Sequence, residues 1–306
     1  MNTRLILLLF IITSCSGKYS PNTTQEVIVE SENEIKISGS LEYVGSSKLA
    51  IIIAGSGPTD RDGNNPQGLK SNAYKQLSNR FALHGISTFR YDKRGIGKSS
   101  KIAESDATFF SFVNDLDSII THFKSDFKEI NLIGHSEGAL IATLSAQNNP
   151  NVTSLSLLAG TGKRFDEILL DQLEKYPKLI PLAEKHIEEI KSKKELSEVD
   201  PFLGNLFRPS IVPYMESVFE LEPKLELAKV EQPILIIGGK CDIQVPIEHS
   251  ELLHEGNPKA TLVQINDMGH VLKHIGDDCY GAHEVYSNPD IELNPKLVQV
   301  LTDFIK

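Results

Sequence analysis

The chain is poor in the features that mark nucleic-acid binders, membrane spans and repeat proteins. Basic residues are outnumbered, 31 against 41 acidic, for a formal net charge of −10. They form no stripe, so a phosphate backbone would meet a repulsive field, and a nucleic-acid partner is excluded. The apolar run at the N-terminus, Leu5 to Ile12, is far shorter than the ~20 residues of a membrane-spanning helix. There is no internal repeat and no low-complexity tract. Cysteine is scarce, with three residues. What remains is a globular composition in 306 residues, enough for one large domain with a buried core or two small ones.

The N-terminus reads as a targeting signal. Arg4 gives a positive start, and the short apolar core ends in small residues. The junction Ile12-Thr13-Ser14-Cys15 resembles the bacterial lipoprotein box. That resemblance implies cleavage before Cys15, its acylation, and an exported protein held at a membrane of the cell envelope, on a leaflet the sequence leaves open. Ser16 to Thr24 is polar and reads as a tether. In an exported protein Cys241 and Cys279 could pair; the plainer expectation is two separate small core residues.

Buried strands and helices then alternate. Lys48 to Ala54 is continuously apolar, as in a strand covered on both faces. Ser87 to Tyr91, Glu129 to Ile133 and Val152 to Ala159 follow as strands. Helical spacing occupies Ser71 to His84, Ala107 to Lys124 and Gly138 to Gln147. From Thr161 to Val230 no buried strand is evident, and charged helical stretches replace the alternation. It resumes with Ile234 to Ile237, Pro246 to His254, Ala260 to Ile265 and a closing helix, Asn294 to Ile305. This pattern predicts an α/β fold with a mostly parallel central sheet of about eight strands flanked by helices. The expected division is a signal at 1–14, a tether at 15–25, a core at 26–160 and 230–306, and a helical cap inserted at 161–229.

Gly134-His135-Ser136-Glu137-Gly138 fits G-x-S-x-G and falls between a strand and a helix. Such a turn lifts the Ser136 hydroxyl above the sheet and aims the helix N-terminus at it. A serine hydroxyl is a weak nucleophile and needs a base oriented by an acid. Where the order is Ser, acid, His, the candidates lie past the later strands: Asp242 in GGKCD and His270 in NDMGH. His135 sits inside the elbow, where its neighbour's geometry turns it away from the reaction; His283 is the fallback base. The oxyanion needs two backbone N–H groups. Glu137 supplies one, and the Gly55-Ser56-Gly57-Pro58 turn the other, with Ser56 ahead of Gly57. The Asp60-Arg61-Asp62-Gly63 run and the His270/His274 spacing do not complete calcium or zinc motifs. No metal and no cofactor is expected.

Together, GSGPTDRDGNNP from Gly55, YDKRGIGKS from Tyr91, LIGHSEGAL from Leu132, GGKCDIQVP and MGHVLK resemble the α/β-hydrolase superfamily. More narrowly they resemble its serine aminopeptidase-like (S33-type) hydrolases and their esterase relatives. The resemblance implies Ser-Asp-His roles for Ser136, Asp242 and His270, and a helical cap before the acid strand. Ala54 stands where many lipases carry the histidine of an HGGG-type loop, which weighs against a lipase.

The function expected is hydrolysis of a carboxylic ester through an acyl-enzyme on Ser136. The rivals are a peptidase cutting short peptides, for which Glu137 or a cap carboxylate would anchor the free amine, and a catalytically silent lipid-anchored binding protein. The partners expected are a small-molecule ester or short peptide and a membrane reached by the lipid anchor; oligomeric state is open. Phe202, Leu203, Leu206, Phe207, Tyr214, Met215 and Phe219 are too apolar for a solvated face. They either pin the insertion to the core or line an acyl pocket, with Phe207, Tyr214 and Phe219 as the lining candidates.

Overall fold

The structure, a computed structural model, describes residues 18–276 and 279–306. Cys15 and the segment expected to be a signal lie outside the described residues. Among the described residues the eight strands are β1 (Thr23–Glu30), β2 (Lys36–Tyr43), β3 (Lys48–Ile53), β4 (Ser87–Tyr91), β5 (Glu129–His135), β6 (Ser154–Leu158), β7 (Ile234–Gly239) and β8 (Thr261–Ile265). They form one sheet in the order β1-β2-β4-β3-β5-β6-β7-β8. The six strands from β4 to β8 in that order are parallel, while β2 runs antiparallel to both β1 and β4.

β3 explains its own unbroken hydrophobicity. Leu49, Ile51 and Ile53 point into one core, while Ala50 and Ile52 point into the other. The first core is covered by α2 (Phe109–Phe123) and α3 (Glu137–Ala146), which contribute Leu116, Ile120, Ile141 and Ala142. The second is covered by α1 (Ala73–Leu83) and the C-terminal helix Pro295–Ile305, with Leu77, Phe81, Leu297 and Leu301. α2 starts at a capping box in which Thr108 and Ser111 satisfy each other's backbone N–H.

Between β6 and β7 the chain forms α4 (Phe165–Gln172), α5 (Ile180–Lys193), α6 (Val212–Phe219) and α7 (Pro223–Leu227). Ala183 and Ile190 of α5, Met215 and Phe219 of α6, and Leu203 and Phe207 from the stretch between them join the first core. After β7 comes α8 (Glu248–Gly256), which makes the terminal helix Pro295–Ile305 α9.

The cysteine expectation is corrected. Cys241 and Cys279 form a disulfide, with Cα atoms 5.1 Å apart, within the usual span for such a bond. The residues are 38 apart, and only the path of the loop after β8 brings the second back to the first. Phe202 is also not a packed residue: it is 84% exposed.

Candidate active site

The candidate nucleophile, acid, base and oxyanion turn lie at the carboxyl edge of the parallel strands, joined there by Lys93. Ser136 follows β5, the Gly55–Ser56 turn follows β3, Lys93 follows β4, Asp242 follows β7 and His270 follows β8. Ser136 has φ 53° and ψ −122°, a sparsely populated conformation for a residue with a side chain. The close packing behind it dictates the flanking glycines. A Cβ on Gly134 would come within 2.3 Å of the Gly138 carbonyl oxygen, and one on Gly138 within 2.4 Å of the Ile53 carbonyl oxygen.

His270 Nδ1 lies 2.8 Å from Asp242 Oδ2. The other carboxylate oxygen accepts from the backbone N–H groups of Gln244, at 2.8 Å, and Val245, at 2.9 Å. Asp242 is buried, and its pairing with Nδ1 leaves Nε2 as the imidazole nitrogen outside that pair. Ser136 and His270 line the same cavity, of about 90 Å³. Asp267, the acid past the neighbouring strand, is engaged elsewhere. It accepts from Asn294 at 2.8 Å and pairs with His274 Nδ1 at 2.7 Å. Burial works against its charge, yet Asn294 and His274 hold the carboxyl below its usual range. The fallback, His283, is exposed on a short 3-10 helix, Tyr280–Tyr286.

Glu137, the first residue of α3, offers a backbone N–H among the unpaired donors of a helix start. The opposing turn is held close: a Cβ on Gly55 would meet the Ser136 Cβ at 3.0 Å. The Gly55 N–H is committed to the Tyr74 hydroxyl at 3.2 Å, which leaves Ser56 as the next donor in line. Ser56 lines the cavity of Ser136, whereas Gly57, at φ 73°, lines only the neighbouring chamber.

The basic motif after β4 builds this turn. Lys93 Nζ donates to the Gly55 carbonyl at 2.6 Å and lies 3.4 Å from Glu137 Oε2. Asp92 binds Arg61 through both its backbone and its guanidinium, at 2.9 and 2.8 Å, and accepts from the Lys98 N–H at 2.9 Å. Burial alone would raise the Asp92 carboxyl; the hydrogen bonds from Arg61 and Lys98 outweigh it and hold it below its usual range. Arg94 and Asp115 form a buried two-point pair at 2.8 and 2.7 Å. Asp60-Arg61-Asp62-Gly63 is thus a structural clasp, in which Asp62 also pairs with Arg90.

Residues from 161 to 223 roof the cavity: Thr161, Phe165, Ile168, Tyr214, Val218 and Pro223 face it with Ser136 and His270. The Tyr214 hydroxyl donates to Glu137 Oε1. Burial, reinforced by Glu137, pushes that phenol well above its usual value, so it remains a donor. The pocket expectation for Phe207 and Phe219 is corrected. Both are fully buried and line neither chamber at the site, because they face the sheet-side core and not Ser136. Only Tyr214 of the three is a wall residue.

Two residues at the site were not legible as such. His135 Nδ1 lies 2.7 Å from the Tyr74 hydroxyl, and Nε2 lies 2.8 Å from the main-chain carbonyl of His270. Its place in the elbow was visible; its partners were not. Tyr74, on the buried face of α1, carried only a core signal.

Comparison with known proteins agrees with this frame. Residues 68–274, more than half of the chain, match the family described as serine aminopeptidase, S33. A provisionally named carbamate hydrolase, RutD, of Agrobacterium fabrum is 22% identical over 231 residues, spanning 69% of this chain and 81% of that protein. The structure resembles an esterase of Exiguobacterium antarcticum, with a TM-score of 0.59 and 19% identity over 92% of this chain and 99% of the other. It also resembles an esterase of Pyrococcus furiosus, with a TM-score of 0.62 and 17% identity over 94% of each chain. The chain belongs to the serine aminopeptidase (S33) family of hydrolases, built on the α/β-hydrolase fold.

Proposed function

We propose that this hydrolase is a serine esterase. Ser136 Oγ attacks the carbonyl carbon of a carboxylic ester while His270 Nε2 takes its proton. Asp242 keeps the Nδ1 proton in place and stabilises the imidazolium that forms. The oxyanion is met by the N–H groups of Ser56 and Glu137. His270 returns the proton to the leaving alcohol, then activates water to release the acid.

The observation that carries this is the buried Asp242–His270 pair beside a serine on a strained elbow, in one cavity. The ester preference over a peptide bond rests on Glu137. A free amino terminus needs an unpaired carboxylate, and the Glu137 carboxylate already holds Lys93 and Tyr214. The other carboxylate in the adjoining chamber wall, Glu104, is paired with Arg208. A panel of methyl and ethyl esters beside aminoacyl arylamides tests it, with wild type and Ser136→Ala. Esters are expected to be cleaved and arylamides spared, with a fluorophosphonate labelling Ser136. Preferential cleavage of arylamides would replace the esterase by a peptidase.

Export and lipid anchoring at Cys15 belong to the same proposal. The Ile12–Cys15 junction supports them, and so does the Cys241–Cys279 bond, which suits an oxidising compartment. Expressed in a bacterium, wild type is expected in the membrane fraction and Cys15→Ala in the soluble fraction or unprocessed. A Cys15→Ala protein that stays processed and membrane-bound would refute the anchor.

A further inference from the structure

Two chambers meet at the site, and they differ in size and in what they contain. The smaller, of about 90 Å³, holds Ser136 and His270 between Leu140, Ile168, Val218 and Pro223, with Lys163, Gln172 and Gln244 also in its wall. The larger, of about 450 Å³, has neither Ser136 nor His270 in its wall. Both share Ser56, Glu137, Phe165 and Tyr214. The hydrogen bond from Tyr214 to Glu137, braced by Lys93, is the bar between them.

We infer that the enzyme takes esters of a bulky, largely apolar acid with a small alcohol. The acid would lie in the larger chamber and the alcohol beside His270. This rests on the esterase reading above. The alcohol oxygen must receive its proton from His270 Nε2, so it must lie within hydrogen-bond reach of the imidazole. The alcohol therefore starts in the chamber that contains His270. The carbonyl oxygen must point to the N–H groups of Ser56 and Glu137, both of which border the two chambers. The acyl substituent then continues past the bar into the larger one.

Size decides what each side admits. An apolar cavity of about 150 Å³ accommodates benzene; the 90 Å³ chamber does not reach that, and a methoxy or ethoxy group suits it. The larger chamber has room for an aryl or branched acyl group. Its wall carries Phe112, Phe165 and Tyr214 beside Ile102 and Ile211, with Lys93 and Arg94 there already paired to Glu137 and Asp115; an aromatic ring packs on such a surface at offset or edge-on geometry. Gln67 and the half-exposed Arg208–Glu104 pair stand at its rim, where polar substituents of the acid would meet water.

Methyl hydrocinnamate and phenethyl acetate test this directly. They are isomers with the ester reversed, and both are unactivated alkyl esters, so intrinsic reactivity does not bias the comparison. The expected kcat/KM ratio favours methyl hydrocinnamate by about tenfold or more, the discrimination available to one misplaced apolar group. Ile211→Trp, which fills the larger chamber, is expected to bring that ratio down severalfold. A ratio at or below unity, with both activities abolished by Ser136→Ala, overturns the inference and leaves the esterase standing. So does cleavage of short p-nitrophenyl esters with neither isomer touched. If no ester of any kind is cleaved, the esterase proposal fails and this inference falls with it.

Discussion

His135 holds the backbone of His270 while Asp242 holds its side chain. The His270 carbonyl can only accept, so His135 Nε2, 2.8 Å away, carries the proton. Nδ1 then accepts from the Tyr74 hydroxyl at 2.7 Å, and the Tyr74 oxygen accepts from the Gly55 N–H at 3.2 Å. One chain of hydrogen bonds thus runs from the Gly55–Ser56 turn, through His135 beside Ser136, to His270. Each donor has a single acceptor, so the tautomer of His135 is fixed.

This chain predicts that Tyr74→Phe and His135→Gln act on geometry more than on binding. Each is expected to lower kcat by ten- to a hundredfold, the scale of a sub-ångström to ångström misplacement of a reacting group, while KM changes little. Steady-state kinetics on a methyl ester separates the two parameters. A rise in KM at constant kcat would show that His135 merely shapes the pocket.

The same residue predicts an acid-sensitive contribution to stability. Burial, with the nearby His270, lowers the His135 imidazole from 6.5 to about 3. The unfolded chain therefore binds a proton on this residue below about 6.5 while the folded one does not. Its contribution is complete above that value and is lost as pH falls from about 6.5 towards 3. Urea denaturation of wild type and His135→Gln across this window checks it. The stability difference between the two is expected to shrink on acidification; a difference independent of pH would contradict the assignment.

The roles proposed for the three central residues predict a non-additive pattern. Ser136→Ala and His270→Ala should each cost nearly as much rate as the double variant, because nucleophile and base act as a unit. Asp242→Asn should keep the fold and favour the wrong imidazole tautomer, with a loss on the order of 10⁴ in kcat. Asp267→Asn should cost far less, since its carboxylate faces Asn294 and His274 and not His270. Ester hydrolysis by these variants, with folding checked by circular dichroism, decides it. Equal damage from the two asparagine variants would place the acid on the wrong strand end.

What the sequence reveals about this site follows from how local each constraint is. The elbow is legible because the G-x-S-x-G spacing is local: Gly134 is required by the start of the helix that follows it, although Gly138 is required by the Ile53 carbonyl of the neighbouring β3. The double burial of β3 is legible because each face leaves its mark on alternate residues. The partners of His135 are not legible: its direction at the end of β5 matters only once α1 and the loop after β8 pack on either side. The Cys241–Cys279 bond is hidden for the same reason. Apolar composition likewise could not separate Phe207 and Phe219 from Tyr214, since a core residue and a pocket wall differ only in what faces them.

The disulfide predicts coupling between the Asp242 loop and the whole fold. Cys241 adjoins Asp242, and its bond closes a loop of 38 residues that contains His270. In the chain-entropy account a loop of that length stabilises the folded state by about 4 kcal/mol. Paired substitution of both cysteines by serine is expected to lower the melting temperature and to reduce kcat more than KM. Wild type melted with a thiol reductant should approach the double variant. A melting temperature indifferent to reductant would show that the bond is not formed.

Phe207 and Tyr214 predict opposite phenotypes although they lie on the same insertion. Phe207 is fully buried, with the His186 ring 5.4 Å away between centroids, and touches neither chamber. Phe207→Ala should cost about 3–5 kcal/mol through the cavity it leaves, and should leave the preference among esters as it was. Tyr214 borders both chambers and donates to Glu137. Tyr214→Phe keeps the ring and deletes the donor, so stability should fall by about 1–3 kcal/mol at most, while the bar between the chambers loosens. The preference between esters with bulky and small alcohols should then narrow. Measuring denaturation midpoints and ester selectivity on both variants separates a residue that holds the insertion down from one that shapes the site. If Phe207→Ala shifts selectivity and Tyr214→Phe does not, the two assignments must be exchanged.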